Sequence, residues 1–228
     1  MNYIITSYHY VIQNILKYSC QSILKIMGWS PLNRYCISTI NNNQKMVCVF
    51  SHTSYYDFCI MVLYKLAYPY YFKNMKTLIN SYYFTIMGRF LYAVGGIPAI
   101  VKEHNVKRIV DSLQQEQFMF LISPKGSILK KDWKTGYYYI AKQLNVPIIA
   151  VGLDYENKNI YIGKPINNQL EEPIIKNILY NDLSHIVPLH PEQENMIIRK
   201  HNADYVSVIN PIRLICIYIG FLMYCVYK

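Results

Sequence analysis

Short apolar runs and helical segments take turns through the middle of this chain, and that alternation narrows the fold more than any other feature. Residues 46–50, 118–123, 147–152 and 159–162 read as strands. Residues 55–66, 78–92, 106–117 and 136–144 read as helices, with Asn105 placed to cap the third. The pattern predicts an α/β fold in which a mostly parallel central sheet is flanked by helices. Functional groups in such sheets gather at the carboxyl ends of the strands. Two polar segments fall at such ends. One is Ser51-His52-Thr53-Ser54-Tyr55-Tyr56-Asp57; the other is Pro124-Lys125-Gly126-Ser127. A chain of 228 residues is long enough to bury a substantial core as one domain.

The flanks read differently from the centre. Residues 3–27 carry a helical pattern in which Ile4, Tyr8, Val11, Ile12, Ile15, Ser19, Ile23 and Ile26 form one stripe. Gln13, Lys17, Gln21 and Lys25 form another, and Gly28 and Pro31 end the pattern. Such a helix either packs on its own domain or lies in a membrane interface, and residues 1–30 are set apart as an amphipathic, membrane-associating segment. The main domain is expected over 31–210 and a hydrophobic tail over 211–228. The tail's fourteen uncharged residues, 214–227, would make a helix of roughly 21 Å. A hydrocarbon core of about 30 Å needs more than that, so a shallow insertion or a packed helix is expected. Residues 171–210 are polar, with scattered proline and no clear period.

Composition sets the environment. Hydrophobic residues make up 53% and charged residues 16%, with 24 tyrosines and a net charge of +10. A positive, apolar chain without a recognised nucleic-acid motif suits an anionic membrane surface. No nucleic-acid partner is expected. The six cysteines form no C-x-x-C pair and have no metal-like spacing with histidine, which predicts free thiols in a reducing compartment and no metal site. Gln13, Asn14 and Lys17 interrupt any secretory signal core.

His52 and Asp57 are the candidate chemical pair. The spacing puts the imidazole in a loop after a strand and the carboxylate in the first turn of a helix, where negative charge is favoured. If the loop folds back, the carboxylate bonds one ring nitrogen and the other is left as a base near neutral pH. The same spacing also suits a structural histidine at a strand end. Ser51 and Ser54 lack a G-x-S-x-G elbow, and Ser54 reads as a helix cap. Tyr55 and Tyr56 are candidates to line an entrance. Trp133 and Gly136 read as packing residues.

Further blocks follow in order: Gly95-Gly96-Ile97-Pro98, Ser123-Pro124-Lys125-Gly126-Ser127, Asp132-Trp133-Lys134-Thr135-Gly136-Tyr137-Tyr138-Tyr139-Ile140-Ala141, Val146-Pro147-Ile148-Ile149 and Leu153-Asp154-Tyr155. With His52-x4-Asp57 at their head, this series resembles the glycerolipid acyltransferases of the 1-acyl-glycerol-3-phosphate acyltransferase type over about residues 45–165. The stretch from Trp133 and the Leu-Asp-Tyr after it look like one bacterial-type branch. The resemblance implies that a fatty acyl group passes directly from a thioester, on coenzyme A or acyl carrier protein, to the hydroxyl of a lysophospholipid. 1-Acyl-glycerol-3-phosphate is the expected acceptor. No cofactor beyond that co-substrate and no metal is required. His52 would be the general base and Asp57 its orienting partner. Gly96, Ile97, Lys102, Lys125, Gly126 and Ser127 would contact substrate, and backbone N–H groups around Gly126 would hold the oxyanion. The active site would face a cytoplasmic, reducing compartment from a membrane.

Two blocks depart from the family pattern. Lys125 stands where a glutamate is usual, and Ser127 and Ile128 replace threonine and arginine. Lys102 is the nearest cation after the glycine block, where an arginine is usual. The family's arginines are associated with the acceptor's phosphate, so Lys102, Lys125, Lys130 and Lys131 are expected to rebuild that anion site as point charges. The same departures leave a second reading open: a catalytically degenerate lipid-binding or membrane-remodelling protein that retains the fold.

Overall fold

A computed structural model describes residues 2–42, 45–100, 105–114, 117–126 and 132–190, with the side chains of 2–10 and 42 not included. Lys102, Ser127, Lys130, Lys131 and the hydrophobic tail expected over 211–228 lie outside the described residues.

The chain runs α1 (Asn2–Ile26), α2 (Arg34–Asn42), β1 (Lys45–Phe50), α3 (Tyr55–Ala67), α4 (Pro69–Phe72), β2 (Met75–Asn80), α5 (Tyr82–Ala93), β3 (Gly96–Ala99), α6 (Asn105–Leu113), β4 (Phe118–Ile122), α7 (Gly136–Leu144), β5 (Ile148–Asp154), β6 (Asn159–Ile162) and α8 (Glu172–Leu183). The six strands form one sheet in the order β3-β2-β4-β1-β5-β6. All neighbours are parallel except the β5–β6 pair. β4 and β5, and all of β1 beyond Lys45, are buried along their length because helices cover both faces of the sheet.

Two hydrophobic layers result. One holds α1, α3 and the residues of β1 that face them, including Met46, Cys48 and Phe50. The other holds α6, α7 and α8 against Val47 and Val49. The alternation along β1 is thus split between two cores rather than between core and water.

The expected α/β architecture is the one observed, with several local differences. The expected helix over 78–92 begins four residues later, at Tyr82, because residues 75–80 form β2. Residues 96–99 form the short edge strand β3. The stretch without a clear period contains α8, which buries Ile175, Leu179 and Leu183 at i, i+4 and i+8.

The stripe on α1 is also corrected. Leu16, Cys20 and Leu24 are the buried face, while Val11, Ile15, Tyr18 and Ile26 are exposed. Of the expected stripe, Ile12 and Ile23 pack partly against that core, while Val11, Ile15 and Ile26 face outward. Trp29, at the turn after α1, joins the same core as Leu16, Cys20 and Leu24. Burying each of the two leucines contributes about 2 kcal/mol. Cys20, Cys36 and Cys48 are buried free thiols, and burial pushes the Cys20 thiol up to about 12.

Candidate active site

The loop after β1 is built by its own hydrogen bonds. Ser54 is the N-cap of α3, with extended backbone, and its side chain accepts from the Tyr56 N–H at 3.2 Å. Asp57, three residues into the cap, accepts from the Ser54 N–H at 2.9 Å and closes a capping box. The same carboxylate oxygen, Oδ2, accepts from the Thr53 N–H at 2.9 Å and lies 3.1 Å from His52 Nδ1. A carboxylate only accepts, so Nδ1 carries the hydrogen and Nε2 keeps its lone pair. Asp57 is 2% exposed and His52 24%. The pair thus sets a buried anion behind an imidazole that still reaches water, at the positive end of a helix.

The remaining oxygen of Asp57 is occupied as well. Tyr155, directly after β5, donates its hydroxyl to Oδ1 at 2.8 Å. The sequence pointed to the Leu153-Asp154-Tyr155 block but not to this contact. A polar tip on an otherwise apolar buried strand was the available signal.

The second polar segment lies beside the first. β1 and β4 are parallel neighbours with Val49 opposite Ile122, so His52 and Lys125 each stand three residues past a matched pair. The chain turns at Ser123–Gly126, where the Gly126 N–H donates to the Ser123 carbonyl at 3.1 Å. Gly126 has φ +65°, a left-handed conformation that favours glycine. Its N–H is spent inside this turn, so the oxyanion donor expected at Gly126 is not that group. Lys125 is 1% exposed. It is enclosed in the wall of the site rather than extended into solvent. The Lys134 N–H donates to the Pro124 carbonyl at 2.9 Å, and its ammonium lies 3.8 Å from where a Cβ on Gly126 would sit. Two lysines therefore bracket this turn, one from inside and one from the rim.

Gly96 and Ile97 are not brought to His52. They lie in edge strand β3, three strands from β1, or about 14 Å across at ordinary strand spacing. Gly95 and Gly96 answer to packing instead. A Cβ on Gly95, where φ is +83°, would overlap the Met75 carbonyl oxygen and sit 2.8 Å from Lys65 Nζ. A Cβ on Gly96 would sit 2.7 Å from the Leu91 carbonyl oxygen.

Between β3 and the His52 loop lies α5. Leu91 is its single buried residue, while Tyr82, Ile86, Met87 and Tyr92 are exposed. Tyr83 of α5 neighbours Tyr55, which is exposed at the start of α3 beside the dyad. Phe90 meets Phe58 edge-on at 6.4 Å. Among the described residues, no His, Cys, Asp and Glu gather closely enough to hold a metal ion. No helix among them is long and apolar enough to cross a membrane.

No curated protein matches the chain. Among solved structures it is similar to the crystal structure of the 1-acyl-sn-glycerophosphate (LPA) acyltransferase PlsC from Thermotoga maritima. That match has 12% identity and a TM-score of 0.46, and it covers 81% of this chain and 94% of that one. So loose a likeness adds nothing to the assignment. The model of the acyltransferase family, by contrast, matches residues 32–154, more than half of the chain and the whole span from α2 to the end of β5, His52–Asp57 pair included. The chain belongs to the acyltransferase family.

Proposed function

We propose that the chain transfers a fatty acyl group from an acyl thioester to the hydroxyl of a lysophospholipid, with a phosphate-bearing acceptor such as 1-acyl-glycerol-3-phosphate. The observation that carries this reading is the His52–Asp57 pair, whose hydrogen bond leaves Nε2 as the basic nitrogen of a partly exposed ring. Nε2 takes the proton as the acceptor oxygen attacks the thioester carbonyl. Asp57 stabilises the imidazolium that forms. The tetrahedral intermediate then collapses, the carbon–sulfur bond breaks, and the imidazolium returns the proton to the leaving thiolate. Lys125 and Lys134 supply positive charge beside the same strand end, and we assign the acceptor's phosphate to them. The donor is acyl-CoA or acyl carrier protein.

A lysophospholipid acceptor also calls for access to a bilayer surface. Exposed Val11, Ile15 and Tyr18 on α1, and Tyr82, Ile86 and Tyr92 with Arg89 on α5, give mixed apolar, aromatic and basic faces suited to an anionic interface. The test is thiol release from a long-chain acyl-CoA by the vesicle-bound protein, with and without lysophosphatidic acid. Acceptor-dependent release that His52→Ala abolishes is expected. No release with any lysolipid or thioester would favour the degenerate lipid-binding reading.

A further inference from the structure

The buried phenol on Asp57 stands outside the chemistry so far described. Tyr155 is 3% exposed, and both its ring and its backbone are held. Trp29 meets it edge-on, with centroids 5.2 Å apart and planes at 83°. Its backbone N–H donates to the Val187 carbonyl at 2.8 Å. The hydroxyl therefore has little freedom to leave Oδ1 of Asp57. Burial, then the charge of Asp57 and the hydrogen bond to it, push the phenol well above its usual range. At every working pH it is a donor and cannot accept the proton from His52.

We infer that Tyr155 is a positioning residue for His52, acting through Asp57 to hold the carboxylate in place and to spread its charge over both oxygens. The inference rests on His52 being the general base. Oδ2 already holds two backbone N–H groups and the imidazole. Oδ1 is buried, and its described partner is Tyr155. Without that donor, the negative charge on the carboxylate is less dispersed and holds an imidazolium more tightly. His52 would then surrender its proton less readily to the leaving thiolate, and less of it would be free base at neutral pH.

The groups that can titrate or carry charge around this pair come from several elements. Cys59 lies two residues along α3 from Asp57 and acts on Tyr155. Lys125 stands on the neighbouring strand end. Lys158 reaches the Met27 carbonyl near Trp29. Asp154 is turned away and accepts from Glu156 and Asn157. None of these replaces the donor to Oδ1.

The experiment compares wild type, Tyr155→Phe and a chain carrying 3,5-difluorotyrosine at 155, all full length in detergent micelles. The imidazole titration of His52 is followed by NMR on histidine-labelled protein, with His52→Gln to assign the signal. The pH profile of kcat/KM is measured in parallel. Tyr155→Phe is expected to raise the His52 midpoint by about half a pH unit and to move the ascending limb with it. Difluorotyrosine, a stronger donor of the same shape, is expected to lower both. If the midpoint is unmoved in both variants while thermal stability falls, Tyr155 only packs and the inference is overturned. If none of the three chains transfers acyl groups, the functional proposal fails, yet the two midpoints still decide the role of Tyr155.

Discussion

The loop after β1 and the turn before β3 are both tightly constrained, but by different forces. In the β1–α3 loop the constraint is polar. Asp57 accepts from two backbone N–H groups, one imidazole and one phenol, and the helix cap and the chemical pair share an oxygen. In the Gly95–Gly96 turn the constraint is steric. The Met75 and Leu91 carbonyls stand where side chains would go, and Lys65 donates to the Met75 and Val94 carbonyls at 2.7 and 2.8 Å. Both segments stood out in the sequence as family blocks. The lesson is that a motif can be kept for chemistry or for close packing, and only geometry tells which.

If that contrast is right, substitutions in the two segments fail in opposite ways. His52→Ala is expected to cut acyl transfer by about a thousandfold, since a positioned general base contributes at that level. Its thermal midpoint should hardly move, because the ring is partly exposed. Gly95→Ala is expected to cost roughly 2–4 kcal/mol of stability, through a left-handed φ and an overlap with backbone. Activity per folded molecule should survive it. Parallel melting curves and single-turnover rates separate the two outcomes. A Gly95→Ala protein that folds normally but is inactive would move the glycine turn into the site.

The same contrast explains what the sequence disclosed. Whole-element features came through because they depend on local pattern: the α/β alternation, the cap at Ser54, the placing of Asp57 in a first turn. The face of α1 came through only in part, with Ile12 and Ile23, because both sides of that helix are apolar and Leu16, Cys20 and Leu24 are the residues buried where it packs on α3. β2 and β3 were hidden for a related reason. Residues 75–80 are only partly buried and merge with the apolar α5, and β3 is four residues long. At the site, a spacing of five brought His52 to Asp57, whereas Tyr155 is 98 residues from Asp57 and meets it only through the β1–β5 pairing.

Lys125 sharpens the comparison from the neighbouring strand. Lys125→Met keeps most of the volume and removes the charge. It is expected to raise KM about tenfold for lysophosphatidic acid, the scale of one charge-assisted hydrogen bond. A lysolipid with a neutral glycerol head should be affected far less. Equal loss with both acceptors would make Lys125 a structural member of the turn, on the same footing as Gly95.

Lys65 provides the smallest and most diagnostic test of the steric region. Burial, and secondarily the charge of Lys76, lower its pKa to about 8. The unfolded chain holds that proton up to roughly pH 10.4. Between these values the unfolded state binds more protons than the folded one, so this residue makes stability rise with pH across the window. Tyrosines whose pKa burial raises, such as Tyr64 and Tyr137, act in the opposite sense at higher pH, so wild type alone does not isolate the effect. The difference in unfolding free energy between wild type and Lys65→Met, measured from pH 7.5 to 10, does. Wild type should gain on the variant as pH climbs, because a neutral amine still donates to the two carbonyls without the cost of a buried charge. A difference that stays flat would mean that Lys65 remains charged throughout, held by those carbonyls strongly enough to offset its burial.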